Sequence, residues 1–150
     1  EALVERSELV SSGRAMALLD QALSLIAGPP FDHGAFEWAR SIGIYDRAQH
    51  QIEAAALRLV ELALDANDIK VARAGIQQAL TGLGLNEPLY RAWMSVEAQA
   101  GNPTGVRSVY RELEHRLELM FDDATVSRQT QTLYDQLVSR EQPVDESRSA

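Results

Sequence analysis

The chain has 150 residues, 45% of them hydrophobic, with 22 acidic residues against 14 basic ones and no cysteine. That length buries one core without covalent staples, and the missing thiols exclude disulfides, thiolate-bound zinc and a cysteine nucleophile. A net charge of −8 argues against a grip on nucleic acid through phosphate neutralisation, and no apolar run approaches the ~18–20 residues of a membrane span. The opening residues 1–5 do not have the pattern of a signal peptide. Lys70 is the single lysine among the basic residues. Codon usage accounts for that bias more simply than a functional arginine cluster does.

Helical periodicity dominates from the start. Ala15, Leu18, Leu19, Ala22, Leu23 and Ile26 recur at three- and four-residue spacing, which predicts a helix over 12–27 with one buried stripe. Gly28-Pro29-Pro30 stops it, because proline cannot continue the backbone ladder. A loop over 28–35 follows, with Phe31 tucked against the first helix. A second helix is expected from about Phe36 to Ala66, bent around Ser41-Ile42-Gly43, with Ile52, Ala55, Ala56, Leu59, Val60, Ala63 and Leu64 on its apolar face. Asp65-Ala66-Asn67-Asp68 breaks it and supplies a cap for a third helix over 69–83. Asn86-Glu87-Pro88 opens a fourth, to about Ala100, with Leu89, Trp93, Val96 and Ala100 inward. Gly101-Asn102-Pro103 is a stop, a cap and a first turn in three residues. The fifth helix runs over 103–120 on Val106, Val109, Tyr110, Leu113 and Leu117. After an acidic loop, Ser127 caps a sixth helix that ends near Arg140 and carries Leu133 and Leu137. Residues 141–150 are polar and aperiodic, and are expected to form a disordered tail behind a single domain over 1–140. No segment alternates with period two. The fold class is all-α.

Sliding the chain on itself by about 34 residues, the tetratricopeptide period, aligns two helix pairs. Leu59 falls on Trp93, Leu62 on Val96, Asp68 on Asn102, Arg73 on Arg107, Ile76 on Tyr110 and Leu83 on Leu117. Such a hairpin cannot bury its apolar side alone, so units stack into a short solenoid whose concave face is lined by the first helix of each pair. In this register Leu57, Glu61, Arg91 and Ser95 line the groove, with Arg58 and Gln99 at its rim. Leu59, Ile76, Trp93, Val96, Tyr110 and Leu113 fall on facing stripes and are expected in the core.

Chemistry is harder to find. His33, His50 and His115 have no i, i+4 spacing, and Glu112-Leu113-Glu114-His115 is half of a di-iron pattern without its other half. Gly82 and Gly84 end a helix instead of following a strand, so they form no phosphate loop. No serine sits in a nucleophile elbow. No catalytic, metal-ligating or cofactor-binding residue is assigned, and no enzymatic activity is expected.

The order of signals over residues 14–138 resembles the bacterial transcriptional activator domain, the tetratricopeptide-like module of antibiotic-regulatory activators. The resemblance rests on Gly28-Pro29-Pro30-Phe31, then Phe36-Glu37-Trp38, then a long Ala/Leu-rich helix. It continues in Glu87-x-x-Tyr90-Arg91-x-x-Met94, in Gly101-x-x-x-Gly105-Val106-Arg107-x-Val109-Tyr110-Arg111-x-Leu113, and in Thr130-x-x-Leu133-Tyr134. Val126-Ser127 stands where the family usually has Pro-Ser, and the winged helix that precedes the module in activators is absent from these 150 residues. The wording from Gly105 to Leu113 and around Trp38 is similar to versions at the C-terminus of membrane-associated lysin-motif proteins. The resemblance implies a non-enzymatic, cytoplasmic regulatory module that binds protein: another domain of its chain, a second copy or a separate partner. Direct nucleic-acid binding is not expected. The competing reading is an effector sensor, with a small ligand between the first helix and the repeats changing how the domain docks.

Overall fold

The computed structural model describes residues 2–29, 43–121 and 124–140. Six α-helices make up the described part: α1 (Ala2–Ser24), α2 (Ile44–Asp65), α3 (Ile69–Leu83), α4 (Glu87–Gln99), α5 (Pro103–Met120) and α6 (Arg128–Ser139). No strand occurs among the described residues. Consecutive helices pair as α2 with α3 and α4 with α5, while α4 also packs on α2, α3 and α6. The result is a short helical solenoid with α1 laid against α2 and α3.

The repeat is reproduced hydrogen bond for hydrogen bond. At the α2–α3 turn the N–H groups of Ala66, Asn67 and Asp68 donate to the carbonyls of Leu62, Leu64 and Ala63 at 3.0, 3.0 and 2.7 Å. At the α4–α5 turn those of Ala100, Gly101 and Asn102 donate to Val96, Ala98 and Glu97 at 3.0, 3.0 and 2.9 Å. Every donor and acceptor is displaced by one repeat length. The left-handed position in each turn is Asn67 (φ 54°) or Gly101 (φ 65°), the residue types that tolerate it. Asp68 and Asn102 then cap the next helix, accepting from the N–H of Val71 and of Gly105, each at 3.1 Å.

Two apolar clusters share α4 as their common wall. One joins Leu23 of α1 with Leu59, Ala63, Ile76, Leu89 and Val96. The other joins Tyr90 and Met94 with Val106, Val109, Leu113 and Leu137. Helix α4 is therefore buried on two sides, where the periodicity marked only one stripe. Tyr90 and Met94 are fully buried, Ala100 is exposed, and Trp93 is half-buried with its indole N–H turned to a carboxylate. Of the six expected core residues, Leu59, Ile76, Val96, Tyr110 and Leu113 are buried and Trp93 departs.

Three further differences have local causes. Helix α1 begins near Ala2 instead of Ser12, since nothing before Gly13 breaks a helix, and it ends at Ser24. Leu18, expected inward, is 58% exposed, because α1 docks through Met16, Leu19 and Leu23, with Ile26 joining them just past its end. Gly43, expected as a bend, has φ 73° and is the residue from which α2 starts, so no continuous helix passes through it. The loop with Phe31, the Phe36 and Trp38 element and the tail over 141–150 lie outside the described residues.

The close approach of α2 and α3 is set by Gly75, whose added Cβ would stand 2.6 Å from Leu59 Cδ2. Alanine there gains up to about 1 kcal/mol of helix propensity, but overpacking costs about 1–3 kcal/mol. Gly75→Ala is thus expected to destabilise, and Leu59→Ala to cost about 2–5 kcal/mol. In the double variant the new methyl enters the vacated space, so urea titration should show a smaller loss than the sum of the two.

Candidate interaction groove

The groove walls are positioned by carboxylates. Glu97, 4% exposed, sits on α4 where it accepts from Arg73 of α3 twice, Nε at 2.8 Å and a terminal nitrogen at 2.7 Å. Trp93 Nε1 donates to it at 3.1 Å and Asn102 Nδ2 at 2.7 Å. An isolated buried charge would be costly, and a forked guanidinium with two further donors offsets that cost. The cluster ties α3, α4 and the cap of α5 together. It leaves no room beside it, since a Cβ on Gly105 would lie 2.6 Å from Glu97 Oε2.

A second device recurs one repeat later. Glu53 of α2 accepts from Asn86 Nδ2 at 2.7 Å, and Asn86 is the N-cap of α4, taking the Leu89 N–H at 3.0 Å. Glu87 of α4 in turn accepts from Ser127, the N-cap of α6, through its N–H at 3.2 Å and its hydroxyl at 2.6 Å. Thr130, fully buried, donates to Glu87 at 2.6 Å and accepts from Arg91 at 3.0 Å. Each first helix thus holds the cap of the next first helix in the stack. On the other side of α6 the rings of Tyr110 and Tyr134 stack at 4.0 Å, and Tyr110 hydrogen-bonds Gln131.

Helices α4 and α6 consequently stand as two walls of one groove. A cavity of about 720 Å³ is lined by Leu57, Pro88, Arg91, Ala92 and Ser95 on one side and by Arg128, Gln129, Thr132, Leu133 and Gln136 on the other. It is continued by a cavity of about 580 Å³ at Ser95, Ala98, Gln99, Leu133, Gln136, Leu137 and Arg140. Among the described residues, neither lining contains a carboxylate.

The residue pattern of the bacterial transcriptional activator domain matches residues 2–137, spanning the first five helices and all but the end of the sixth. The chain belongs to the bacterial transcriptional activator domain family. Comparison with curated proteins and with solved structures gives no match. The family is a regulatory, non-catalytic one. Among the described residues of this activator domain no cluster of three His, Asp or Glu could hold a metal ion, and no helix is long and apolar enough to cross a membrane.

Of the residues expected at the groove, Leu57, Arg91 and Ser95 line the larger cavity, and Ser95 and Gln99 the smaller. Arg91 also meets Glu87 at 3.7 Å. Gln99 Nε2 donates to the Leu64 carbonyl at 2.8 Å, joining the two first helices. Arg58 and Glu61 are exposed and paired with each other. The α6 wall is not visible in the register, because the Glu87–Ser127 contact spans a longer stretch of chain than the Glu53–Asn86 contact does. The Ser127 cap with Leu133 and Leu137 is the signal that could have found it. Arg73, aligned with Arg107 in the register, is the partner of the buried Glu97.

Hydrogen bonds from Arg73 hold the Glu97 carboxyl below the usual range, against the upward push of burial. Burial alone would raise Glu87, but Ser127 and Thr130 donors and the Arg91 charge carry it below the usual range as well. Burial, with the nearby Glu112 charge, pushes the Tyr90 phenol up to about 12. The two carboxylates protonate at lower pH in the folded chain than in the unfolded one. Their stabilisation is therefore complete above the ordinary value of about 4.3 and is lost as pH falls through the depressed folded values. Urea midpoints followed from neutral pH downward should drop in that acid window. Glu97→Gln should lower the neutral midpoint and flatten the drop. Arg73→Met, which leaves a buried acceptor short of donors, should cost about 1–3 kcal/mol.

Proposed function

We propose that this activator domain regulates by docking a polypeptide along the groove between α4 and α6, in the cytoplasm. The docked chain is another domain of its own protein, a second copy or a separate partner. The observation that carries the reading is the groove itself: two walls held by ionic and capping contacts, apolar at Leu57, Ala92 and Leu133, with polar groups at Ser95, Thr132 and Gln136. Apolar anchors with a few directed polar groups suit peptide recognition. The junction of α1 with the repeats favours this over an effector pocket, because Ile26 and Leu23 press onto glycines there: an added Cβ at Gly82 would lie 2.8 Å from Ile26 Cγ2. The −8 charge sets the domain against holding duplex DNA by itself.

A photo-crosslinking residue at Gln136, on the α6 wall, is expected to capture a polypeptide in cells, whereas one at Lys70, exposed on α3, is not. Ser95→Trp fills the shared floor of both cavities and should reduce the Gln136 adduct about ten-fold, the equivalent of roughly 1.4 kcal/mol. Adducts that form at Lys70 and persist in Ser95→Trp would place docking on the convex face instead.

A further inference from the structure

We infer that the occupant of this groove is an extended acidic segment of about six residues, carrying carboxylates at both ends and an apolar residue between them. The inference rests on the docking reading above and specifies the chemistry of the docked chain. Helix α6 runs 12 residues, so Arg128 at its start and Arg140 at its end stand about 18 Å apart at the helical rise. An extended chain covers that distance in about five or six residues.

The charges are asymmetric in a way the global balance hides. The protein is strongly acidic, yet among the described residues the charged side chains lining the two groove cavities are Arg91, Arg128 and Arg140. Arg91 is committed to Glu87 and Thr130. Arg128 and Arg140 form no ion pair among the described residues. Arg128 also borders a cavity on the far side of α6 with Glu114 and Glu118, and pairs with neither. Between the two arginines the wall is apolar at Leu133, facing Leu57 across the floor, with Ser95 and Gln136 able to meet a peptide backbone. A negative segment is drawn to the arginines, and no carboxylate among the described lining residues of the groove opposes it.

The test uses the 150-residue chain and three short fluorescent peptides on one Leu-Val centre, flanked on each side by two glutamates, two glutamines or two lysines. Fluorescence anisotropy should show the glutamate peptide binding about ten-fold or more tightly than either of the others, weakening as salt rises. Arg128→Gln with Arg140→Gln should remove that preference, and the control pair Lys70→Gln with Arg111→Gln should leave it intact. Circular dichroism of both double variants confirms that they fold. Equal or tighter binding of the glutamine or lysine peptide, abolished by Ser95→Trp, overturns the acidic occupant while the docking groove stands. Binding of no peptide, or binding indifferent to Ser95→Trp, overturns both. A dimer of the unliganded chain that dissociates on the Arg128 and Arg140 substitutions also overturns the inference, because a second copy would then be the occupant.

Discussion

The position of α4 rests on one buried carboxylate. Glu97 stands at the turn site occupied one repeat earlier by Ala63, which is fully buried. A charge replaces a methyl group at an equivalent place, and it survives there because Arg73, Trp93 and Asn102 all point at it. Apolar burial supplies most of the driving force in both clusters, but it has no direction. The forked pair has direction. It sets the rotation of α4 about its own axis, and hence which residues face each core and which face the groove.

Because α4 touches α2, α3, α5 and α6, that rotation propagates to every neighbour. Tyr90 and Met94 reach one core, Leu89 and Val96 the other, and Arg91 and Ser95 are left for the concave side. Glu87, one turn before Arg91, then carries the order forward to α6 through Ser127 and Thr130. The groove is thus built mostly from rigid helix, and its two walls are linked at their starts by hydrogen bonds with charged groups. A site on rigid elements loses less conformational freedom when it is filled than a site on loops does.

Most of the architecture was legible in the sequence because its punctuation is local. Asp68, Asn86, Asn102 and Ser127 are all caps in the structure, and a cap needs only its own next turn to work. The repeat register was legible for the same reason, since the turn at Asn67 and the turn at Gly101 use the same bonds. What escaped was everything that depends on contacts across the chain. Trp93 fits an apolar stripe, and nothing in that stripe marks the carboxylate it shares with the distant Arg73. Tyr90 and Met94 lie off the expected stripe of α4, and become core only when α5 and α6 arrive on that side. The α6 wall escaped because α5 and its acidic loop lengthen the spacing, so a fixed period slides past it. In the groove the register names the first-helix residues Leu57, Arg91 and Ser95 and leaves out Arg128, Leu133 and Gln136.

All four members of the Glu97 cluster fall between residues 69 and 102, one repeat length bounded by two turns with matching bonds. That segment is a self-contained cassette: it carries both a joint and the fastening that holds the joint closed. Inserting a further copy would preserve the hydrogen bonding at either seam, because Asp68 and Asn102 present the same acceptor to the helix after them. The array could therefore lengthen by whole units, each adding another first helix to the concave wall. Growth by duplication, rather than by reshaping of loops, is the route this fold leaves open.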